Sequence, residues 1–272
     1  MLELTKRLVA AADGSSPPVV LASILEAGPR GVTPGSRLIV EQSGAVIGGL
    51  GDSPLDHAVR AYAIEAFPRH AAETVYAAHD LVATPALSAR VIPRATSIYI
   101  EVVEHRATFL IVGAGHIGRC LAKLASFLDF HVAIIDDRED FADPLKLPEA
   151  DEVICEDFEV ALDRFPIDNN TCIVMVTRGH KQDELSLRKC LGRGAGYLGM
   201  IGSKRRTAAV LEHLAAEGFD AAELAGVRTP IGLDIGAETP EEIAVSIFAE
   251  VIMLRRGGDG SAMYHRKASL RA

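Results

Sequence analysis

The sequence predicts an α/β protein in which a Rossmann-like domain with a parallel sheet is preceded by a smaller α+β domain. One observation is the stretch at residues 108–118, where an apolar strand leads into a G-x-G-x-x-G turn and a helix. A second is the strand at residues 131–136, which ends in an acid at the spacing of a dinucleotide-binding unit. Beyond it, apolar strands and helical patterns alternate, which is typical of a parallel sheet covered on both faces.

Residues 1–106 have the pattern of the small α+β domain. The apolar spacing of residues 2–12 predicts a helix, and a Gly- and Pro-rich loop at 27–35 separates the first strand from a hairpin. The predicted strands are 19–25, 37–41, 45–48, 73–77 and 97–103, with a helix from 53 to about 67. Gly48-Gly-Leu-Gly51 follows a strand and is compatible with a ligand cradle or with a tight connector. Its neighbours Asp52 and Asp56 supply the only acids beside it.

Residues 107–256 carry the pattern of the Rossmann-like domain. The predicted strands are 109–112, 131–135, 152–154, 172–176 and 197–200, and the predicted helices are 116–128, 157–164, 182–192 and 203–216. A last helix begins after Thr239, which caps it, with Pro240 at the first position and Glu242 completing a capping box. Residues 257–272 are Gly-rich and then basic, and we expect a mobile tail there.

Charge and cysteine usage narrow the classes of function. A net charge of −9 argues against non-specific nucleic-acid binding, because phosphate neutralisation needs clustered Lys and Arg. No apolar run reaches membrane-spanning length and no signal-peptide pattern is present, so we expect a cytoplasmic protein. The four cysteines form no C-x-x-C, which fits a reducing compartment without a structural zinc site, and Cys120 and Cys172 are expected to be small buried apolar groups.

The glycine turn has the features of a phosphate-binding site. Gly113 permits a tight turn, Gly115 lets the backbone approach a phosphate, and Gly118 lets helix and strand pack closely. The helix that starts at His116 directs its N-terminus at the anion. Asp136 falls where an acid binds the ribose of a dinucleotide.

The loop after the fourth strand is dense in polar groups. It reads Thr177-Arg-Gly-His-Lys-Gln-Asp183 and follows an apolar strand at the edge where doubly wound sheets bind ligands. We expect Arg178, His180 and Lys181 to contribute to a ligand site, with His180 able to donate a proton near neutral pH. The alternative is a solvated loop in which Asp183 complements the dipole of the next helix.

The loop after the fifth strand combines a helix start with cations. Gly202 and Ser203 precede Lys204, Arg205 and Arg206 in the first helical turn. Cations there oppose the helix dipole, and an anionic ligand would offset that cost while using the free backbone N–H groups. The alternative is that these charges simply face water.

A third loop, Pro230-Ile-Gly-Leu-Asp-Ile-Gly-Ala-Glu238, places Asp234 among apolar residues and glycines ahead of the last helix. Asp234 is either a ligand-binding acid or a structural aspartate satisfied by backbone N–H groups of the loop. The sequence has no Ser-His-Asp order, no H-E-x-x-H and no P-loop, so we assign no catalytic residue and no metal ligand. The polar and charged residues of these loops favour binding of an anion, such as a nucleotide or another phosphate-bearing ligand.

Three of these segments resemble the hallmark motifs of the XdhC/CoxI family. They are Thr177-Arg-Gly-His-Lys-Gln-Asp-Glu184, Tyr197-Leu-Gly-Met-Ile-Gly-Ser-Lys-Arg205 and Pro230-Ile-Gly-Leu-Asp-Ile-Gly-Ala-Glu-Thr-Pro-Glu-Glu-Ile-Ala244. They occur in the family's order after the Rossmann glycines, and the resemblance runs from about residue 108 to 256.

The resemblance implies an accessory factor for xanthine dehydrogenase or carbon monoxide dehydrogenase. Such proteins bind the molybdenum cofactor (molybdopterin carrying molybdenum), protect it during sulfuration and help insert it into the apo-enzyme. The implied partners are a molybdenum hydroxylase apo-enzyme and a cysteine desulfurase, and the implied assembly is a homodimer. In this interpretation the protein is a non-catalytic chaperone.

The first domain resembles the family's N-terminal pattern less closely. Pro34-Gly-Ser-Arg-Leu-Ile-Val40 and Gly44-Ala-Val-Ile-Gly-Gly-Leu-Gly51 match its strands and glycine pair. Many relatives follow that pair with Cys and an acid, or with a third Gly and an acid, whereas this chain continues Leu50-Gly51-Asp52. The resemblance therefore carries over no cysteine ligand, and the chain is expected to be a divergent member.

Two alternatives remain open from the residues themselves. The first is an NAD(P)-dependent oxidoreductase, which accounts directly for the glycines and for Asp136. Asp136 favours NAD over NADP because a carboxylate repels a 2′-phosphate, while the nearby Arg138 opposes this preference. The second alternative is a nucleotide-sensing regulatory module without chemistry of its own.

Overall fold

The chain divides into two compact units, Met1–His105 and Arg106–Ala272. A computed structural model describes residues 2–78 and 85–263, without the side chains of His180 and Lys181. The first unit contains an antiparallel sheet and the second a parallel sheet, so the predicted α/β class with a smaller α+β unit is confirmed. No helix among the described residues is long and apolar enough to cross a membrane.

Six antiparallel strands form the sheet of the first unit in the order β3-β2-β1-β6-β4-β5. Its elements are α1 (Leu2–Ala12), β1 (Val19–Glu26), β2 (Arg37–Glu41), β3 (Val46–Gly49), α2 (Ser53–Ala66), β4 (Ala72–Ala77), β5 (Leu87–Ser88) and β6 (Thr96–Val103). Helix α2 buries Leu55 and Val59 with Ile98 on one face of the sheet. On the other face Ala11 of α1 packs with Ile39. Burial on both faces is what stabilises this unit.

The predicted elements of the first unit are present, with ends that differ by no more than one residue. Strand β5 was not predicted, because two residues carry no alternation that a sequence pattern can reveal. The short 3₁₀ turns Gly28–Arg30 and Phe67–Arg69 were also not predicted. Both contain proline at an early position, which fixes φ near the helical value.

Five parallel strands form the sheet of the second unit in the order β11-β10-β7-β8-β9. Its elements are β7 (Thr108–Val112), α3 (His116–Phe127), β8 (His131–Asp136), β9 (Glu152–Cys155), α4 (Phe158–Arg164), β10 (Thr171–Met175), α5 (His180–Cys190), β11 (Tyr197–Met200), α6 (Lys204–Ala216), α7 (Ala221–Gly226) and α8 (Pro240–Arg256). A 3₁₀ turn, Pro144–Lys146, precedes β9.

Both faces of this sheet are buried. Side chains of one strand alternate between the faces, so Phe109 and Ile111 pack under α3 and α8, whereas Leu110 and Val112 pack under α4, α5 and α6. The Phe109 ring stacks on Phe248 of α8 at 4.4 Å between centroids. The continuous apolar run of β7 follows from this two-sided burial.

Strand order reverses direction at β7, which pairs with both β8 and β10. The chain proceeds from β7 through β8 to β9 on one side and then crosses to β10 on the other side. In open parallel sheets, such a reversal opens a crevice at the carboxyl ends of the two central strands, and ligands bind there. In this unit the crevice lies between the loops that follow β7 and β10.

The five predicted strands of the second unit are present, and the helices that flank them start or end within two residues of the prediction. The capping box of Thr239 and Glu242 at the start of α8 is confirmed. The six-residue helix α7 was not predicted because it is too short for an apolar periodicity. Cys172 is buried as expected, whereas Cys120 is only half-buried. Residues 264–272 of the predicted tail lie outside the described residues.

Replacing Gly118 with alanine should destabilise the second unit. A Cβ at Gly118 would overlap the carbonyl oxygen of Gly113, a backbone atom that cannot move aside cheaply. Overpacking of this kind costs roughly 1–3 kcal/mol. We expect Gly118→Ala to lower the midpoint of urea unfolding, followed by circular dichroism. Gly115→Ala is the matched control, since its Cβ would meet no atom within 4 Å; an equal loss in both variants would contradict this account.

Candidate functional site

The glycine turn lies where β7 and β10 approach each other. Gly113 has a φ of +114°, and a Cβ there would lie 2.8 Å from the carbonyl oxygen of Val176, which follows β10. The Gly113 N–H donates to the Ile135 carbonyl at 2.8 Å, which ties the turn to β8. Gly115 faces open space and is the N-cap residue of α3. The turn is therefore closed toward the sheet and open where a ligand approaches.

Seven described helices have a defined N-cap, and they fall into two groups. Four helices, α2, α4, α7 and α8, are capped by the side chains of Asp52, Asp157, Asp220 and Thr239, and each has an acid in its first turn. The N-termini of α3, α5 and α6 accept no cap from a side chain. These three helices follow β7, β10 and β11 at the carboxyl edge of the parallel sheet, where the capped helix α4 follows the edge strand β9. Their first backbone N–H groups are left for a ligand or water.

Cations accompany the uncapped helix ends. Arg119 lies in the first turn of α3 and Lys204 at the first position of α6, and neither turn contains an acid. Arg178 immediately precedes the N-cap residue of α5. Positive charge beside a helix N-terminus is unfavourable. An anion bound at this edge would offset that cost at α3 and α6, whereas the first turn of α5 contains Asp183.

Asp136 is buried at the end of β8 and accepts four hydrogen bonds. Its Oδ2 accepts from the backbone N–H of Ala114 at 2.7 Å and from Nη2 of Arg138 at 2.8 Å. Its Oδ1 accepts from the backbone N–H of Arg138 at 3.1 Å and from Nε of Arg138 at 2.8 Å. A carboxylate has about four acceptor positions, so all of them are used. Ribose hydroxyls can bind Asp136, its predicted role, only if Arg138 moves away.

The pKa of Asp136 is shifted by opposing effects. Burial acts to raise the pKa, while the hydrogen bonds from Arg138 and Ala114 act to lower it and outweigh the burial. The net pKa lies below that of an ordinary aspartate. Asp136 is therefore a carboxylate that is charged at neutral pH and is hydrogen-bonded to the turn and to Arg138.

Three arginines surround the ring of Phe141. The guanidinium carbons of Arg138, Arg178 and Arg119 lie 3.7, 5.0 and 5.6 Å from its centroid. The Nε of Arg119 is buried and has no hydrogen-bond partner among the described residues. We call Arg119, Arg138, Arg178 and Phe141 the arginine cluster. Arg119 and Phe141 were not predicted as site residues, since nothing in their spacing of 22 positions indicates that they meet.

A cavity of about 350 Å³ lies between the loops after β8 and β10. Its lining residues are Asp136, Asp137, Arg138, Phe158, Thr177, Arg178, Gly179 and Gln182. Of the predicted site residues, the structure thus brings Asp136 and Arg178 together beside the glycine turn. His180 and Lys181 begin α5, and their predicted ligand contacts lie outside the described side chains.

Asp183 has a structural role in the loop after β10. It is buried, and the hydroxyl of Thr177 donates to its Oδ1 at 2.5 Å. The same hydroxyl lies 3.4 Å from the backbone nitrogen of Gly179, which donates to it. This small network fixes the loop so that Arg178 is held outward beside Phe141.

The loop after β11 does not line this cavity. Ser203, Lys204, Arg205 and Arg206 are exposed around the start of α6, and Gly202 is half-buried. Ser203 occupies the N-cap position but its hydroxyl does not cap the helix. The predicted cations of this loop therefore form a second positive region at the same sheet edge, next to the uncapped end of α6.

Asp234 is exposed and accepts no hydrogen bond from the described residues. The suggested alternative, an aspartate satisfied by its own loop, is therefore wrong. The acid that binds a backbone N–H of this loop is Glu250 of α8. Its Oε2 accepts from the Gly232 N–H at 3.0 Å and from the Tyr197 hydroxyl at 2.5 Å. Burial and the neighbouring Glu250 raise the pKa of Tyr197, so the phenol stays protonated.

In the first unit, the two acids beside Gly48-Gly-Leu-Gly51 hold the backbone. Asp56 accepts from the Leu50 N–H at 2.9 Å. Asp52 caps α2 through the Leu55 N–H at 2.9 Å and pairs with Arg30 at 2.7 Å. This geometry favours the tight connector over the ligand cradle.

Asp136→Asn should destabilise the second unit at neutral pH and should do so less as the pH falls below the ordinary carboxyl pKa. The substitution removes the charge that Arg138 and the turn N–H groups bind, and hydrogen bonds to charged groups are worth roughly 1.5–3 kcal/mol. Because the folded pKa is lowered, this stability is present above the ordinary carboxyl pKa of 3.8 and is lost as pH falls through the folded pKa. Urea unfolding of both proteins, repeated from pH 7 down to the lowest pH at which they stay folded, measures how the difference changes.

Asp137→Asn is the matched control, because Asp137 is half-exposed and lies 4.0 Å from Arg138. We expect a change of about 0.5 kcal/mol or less, as for other exposed pairs. A loss for Asp136→Asn that persists unchanged in acid would contradict the linkage.

Known proteins match both units. Residues 109–251 match the XdhC Rossmann domain, and residues 12–76 match the XdhC and CoxI family. The uncharacterized protein YqeB of Escherichia coli K12 is 26% identical over 249 residues, which are 90% of this chain and 45% of that protein. A probable xanthine dehydrogenase subunit of Bacillus subtilis 168 is 31% identical over 163 residues, 59% of this chain and 47% of that protein. The chain spans about half the length of these curated relatives.

The fold also matches a solved structure. A xanthine dehydrogenase from Bacillus halodurans superposes with a TM-score of 0.54 at 19% identity, covering 97% of this chain and 98% of that one. At this identity the likeness concerns the fold alone. The family assignment follows from the sequence matches in the two units, and the chain belongs to the XdhC and CoxI family.

Proposed function

We propose that this protein is an accessory factor for a molybdenum hydroxylase of the xanthine dehydrogenase type, and that it holds the molybdenum cofactor at the carboxyl edge of its parallel sheet. The observation that supports this proposal is the group of three uncapped helix N-termini, each next to a cation, at that one edge. Molybdopterin ends in a phosphate, which is the anion that helix N-termini and cationic side chains bind.

The residues at this edge fit such a ligand. Arg119 has a buried Nε that lacks a partner among the described residues, Gly115 leaves its backbone open, and Arg178 is exposed without a described carboxylate partner. Lys204 and Arg205 provide further positive charge at α6. When bound, the cofactor supplies its own molybdenum and sulfur chemistry, and this chain contributes binding, orientation and shielding.

The proposed partners follow from the same interpretation. A hydroxylase apo-enzyme would receive the cofactor and a cysteine desulfurase would supply its sulfur. The relative in Bacillus subtilis, named as a probable xanthine dehydrogenase subunit, supports the choice of enzyme class. We propose a homodimer in the cytoplasm as the working form.

An NAD-dependent oxidoreductase fits the geometry less well. In dinucleotide-binding units, the acid at the position of Asp136 binds the ribose hydroxyls. Here all four acceptor positions of that carboxylate are filled by Ala114 and Arg138. The glycine turn is thus compatible with a nucleotide, but the ribose contact is missing.

Binding of molybdenum-loaded molybdopterin to the purified protein tests the proposal. Bound molybdenum and the fluorescence of the oxidised pterin report the stoichiometry. We expect near-stoichiometric binding, weakened about tenfold or more in Lys204→Ala/Arg205→Ala, because each charge-assisted hydrogen bond contributes roughly 1.5–3 kcal/mol.

The control for that experiment is Lys123→Ala/Arg164→Ala, which removes two exposed cations in the body of α3 and at the end of α4. It should bind as the unmodified protein does. Loaded protein should also transfer molybdenum to purified cofactor-free xanthine dehydrogenase. Absence of pterin binding, together with binding of NAD⁺, would refute the accessory function.

A further inference from the structure

The arginine cluster concentrates more positive charge than its aromatic ring can stabilise. All three guanidinium carbons lie within 5.6 Å of the Phe141 centroid. Stacking of a cation on a ring is worth about 0.5–1 kcal/mol at an exposed site, and a ring has only two faces. The mutual repulsion of three like charges at this range opposes that gain.

Only one of the three arginines is neutralised by described carboxylates. Arg138 binds Asp136 through two nitrogens and lies 4.0 Å from Asp137. Within residues 2–78 and 85–263, neither Arg119 nor Arg178 forms an ion pair. The N-terminus of α3, which has neither a side-chain cap nor an acid in its first turn, adds to the positive potential.

We propose that Arg119, Arg138 and Arg178, arranged around Phe141, form a binding subsite for a phosphomonoester. The planar fork of a guanidinium matches the oxygens of a phosphate, and a dianion would neutralise the two unpaired arginines. For the identity of the cofactor this inference rests on the proposed function. The same chemistry would also recognise the 2′-phosphate of a dinucleotide.

Arg138 gives the subsite its preference for phosphate over a ribose diol. By filling the acceptor positions of Asp136, it removes the group that hydroxyls would bind. It also cancels the negative charge that would repel a phosphate. The pairing of Arg138 with Asp136 therefore turns a position that usually selects a diol into one that selects an anion.

Two pairs of probes, each differing only in the phosphomonoester, test the subsite by titration calorimetry at low ionic strength. One pair is NADP⁺ and NAD⁺. The other is the oxidised pterin of the molybdenum cofactor, with its phosphate and after phosphatase treatment. We expect the protein to bind the phosphorylated member of at least one pair at least tenfold more tightly.

In the variant Arg119→Gln/Arg178→Gln, the two members of that pair should bind with dissociation constants whose ratio is close to one. Lys123→Gln/Arg164→Gln is the control with the same loss of charge, and it should keep the preference. If the double variant unfolds, Arg178→Gln alone replaces it as the test, because Arg178 is exposed. We expect this single substitution to reduce the preference for the phosphorylated probe at least threefold. Arg138→Gln frees the acceptor positions of Asp136 and should raise the affinity for NAD⁺ relative to that for NADP⁺.

The outcomes separate this subsite from the accessory function. Equal binding within both pairs, no binding of any probe, or a preference that survives in Arg119→Gln/Arg178→Gln would overturn the subsite. Pterin binding that ignores the phosphate would support the accessory function while overturning the subsite. A preference for NADP⁺ without pterin binding would support the subsite and count against the accessory function.

Discussion

The hydrogen bonds of the Asp136 carboxylate determine the arrangement of the candidate site. One oxygen holds the Ala114 N–H of the glycine turn, and both oxygens hold Arg138. This places the Arg138 guanidinium against Phe141, where Arg119 and Arg178 also converge. Because the lowered pKa keeps Asp136 charged, the pairing persists over the whole physiological pH range. A buried charge is tolerated only when it is paired and hydrogen-bonded, so the turn and the arginine cluster depend on the same carboxylate.

The α-helices differ in whether a side chain caps their N-terminus. An N-cap side chain contributes about 0.5–2 kcal/mol, and α2, α4, α7 and α8 all have one. The helices that follow β7, β10 and β11 of the parallel sheet have none, whereas α4, which follows the edge strand β9, is capped by Asp157. A Ser203 hydroxyl at the right position in α6 is left unused. Caps would occupy the N–H groups that an anion needs, so the absence of caps at these three neighbouring helices is consistent with the anion site that we propose.

The sequence predicts the elements of the fold well because their signals are local. The apolar run of β7, the glycine turn and the Thr239 capping box each lie within a few residues, and the structure contains all three. The site depends on contacts that no local pattern encodes. The pairing of Asp136 with Arg138 depends on side-chain conformation, and the approach of Arg119 to Phe141 depends on how α3 and the loop after β8 pack. Glu250, which binds the Gly232 N–H near Asp234, lies on the helix that follows this loop, so the loop sequence alone could not identify it.

Local charge at the sheet edge differs in sign from the charge of the whole protein. The chain carries a net charge of −9, which repels extended polyanions at long range. Within a Debye length, about 8 Å at physiological ionic strength, the nearby guanidiniums and helix N-termini dominate instead. Such a site attracts an anion that is small enough to enter the cleft. A duplex must neutralise many phosphates at once and gains little from a cluster of this size. This segregation of charge therefore favours a compact phosphate-bearing ligand over an extended polyanion, as the proposed function requires.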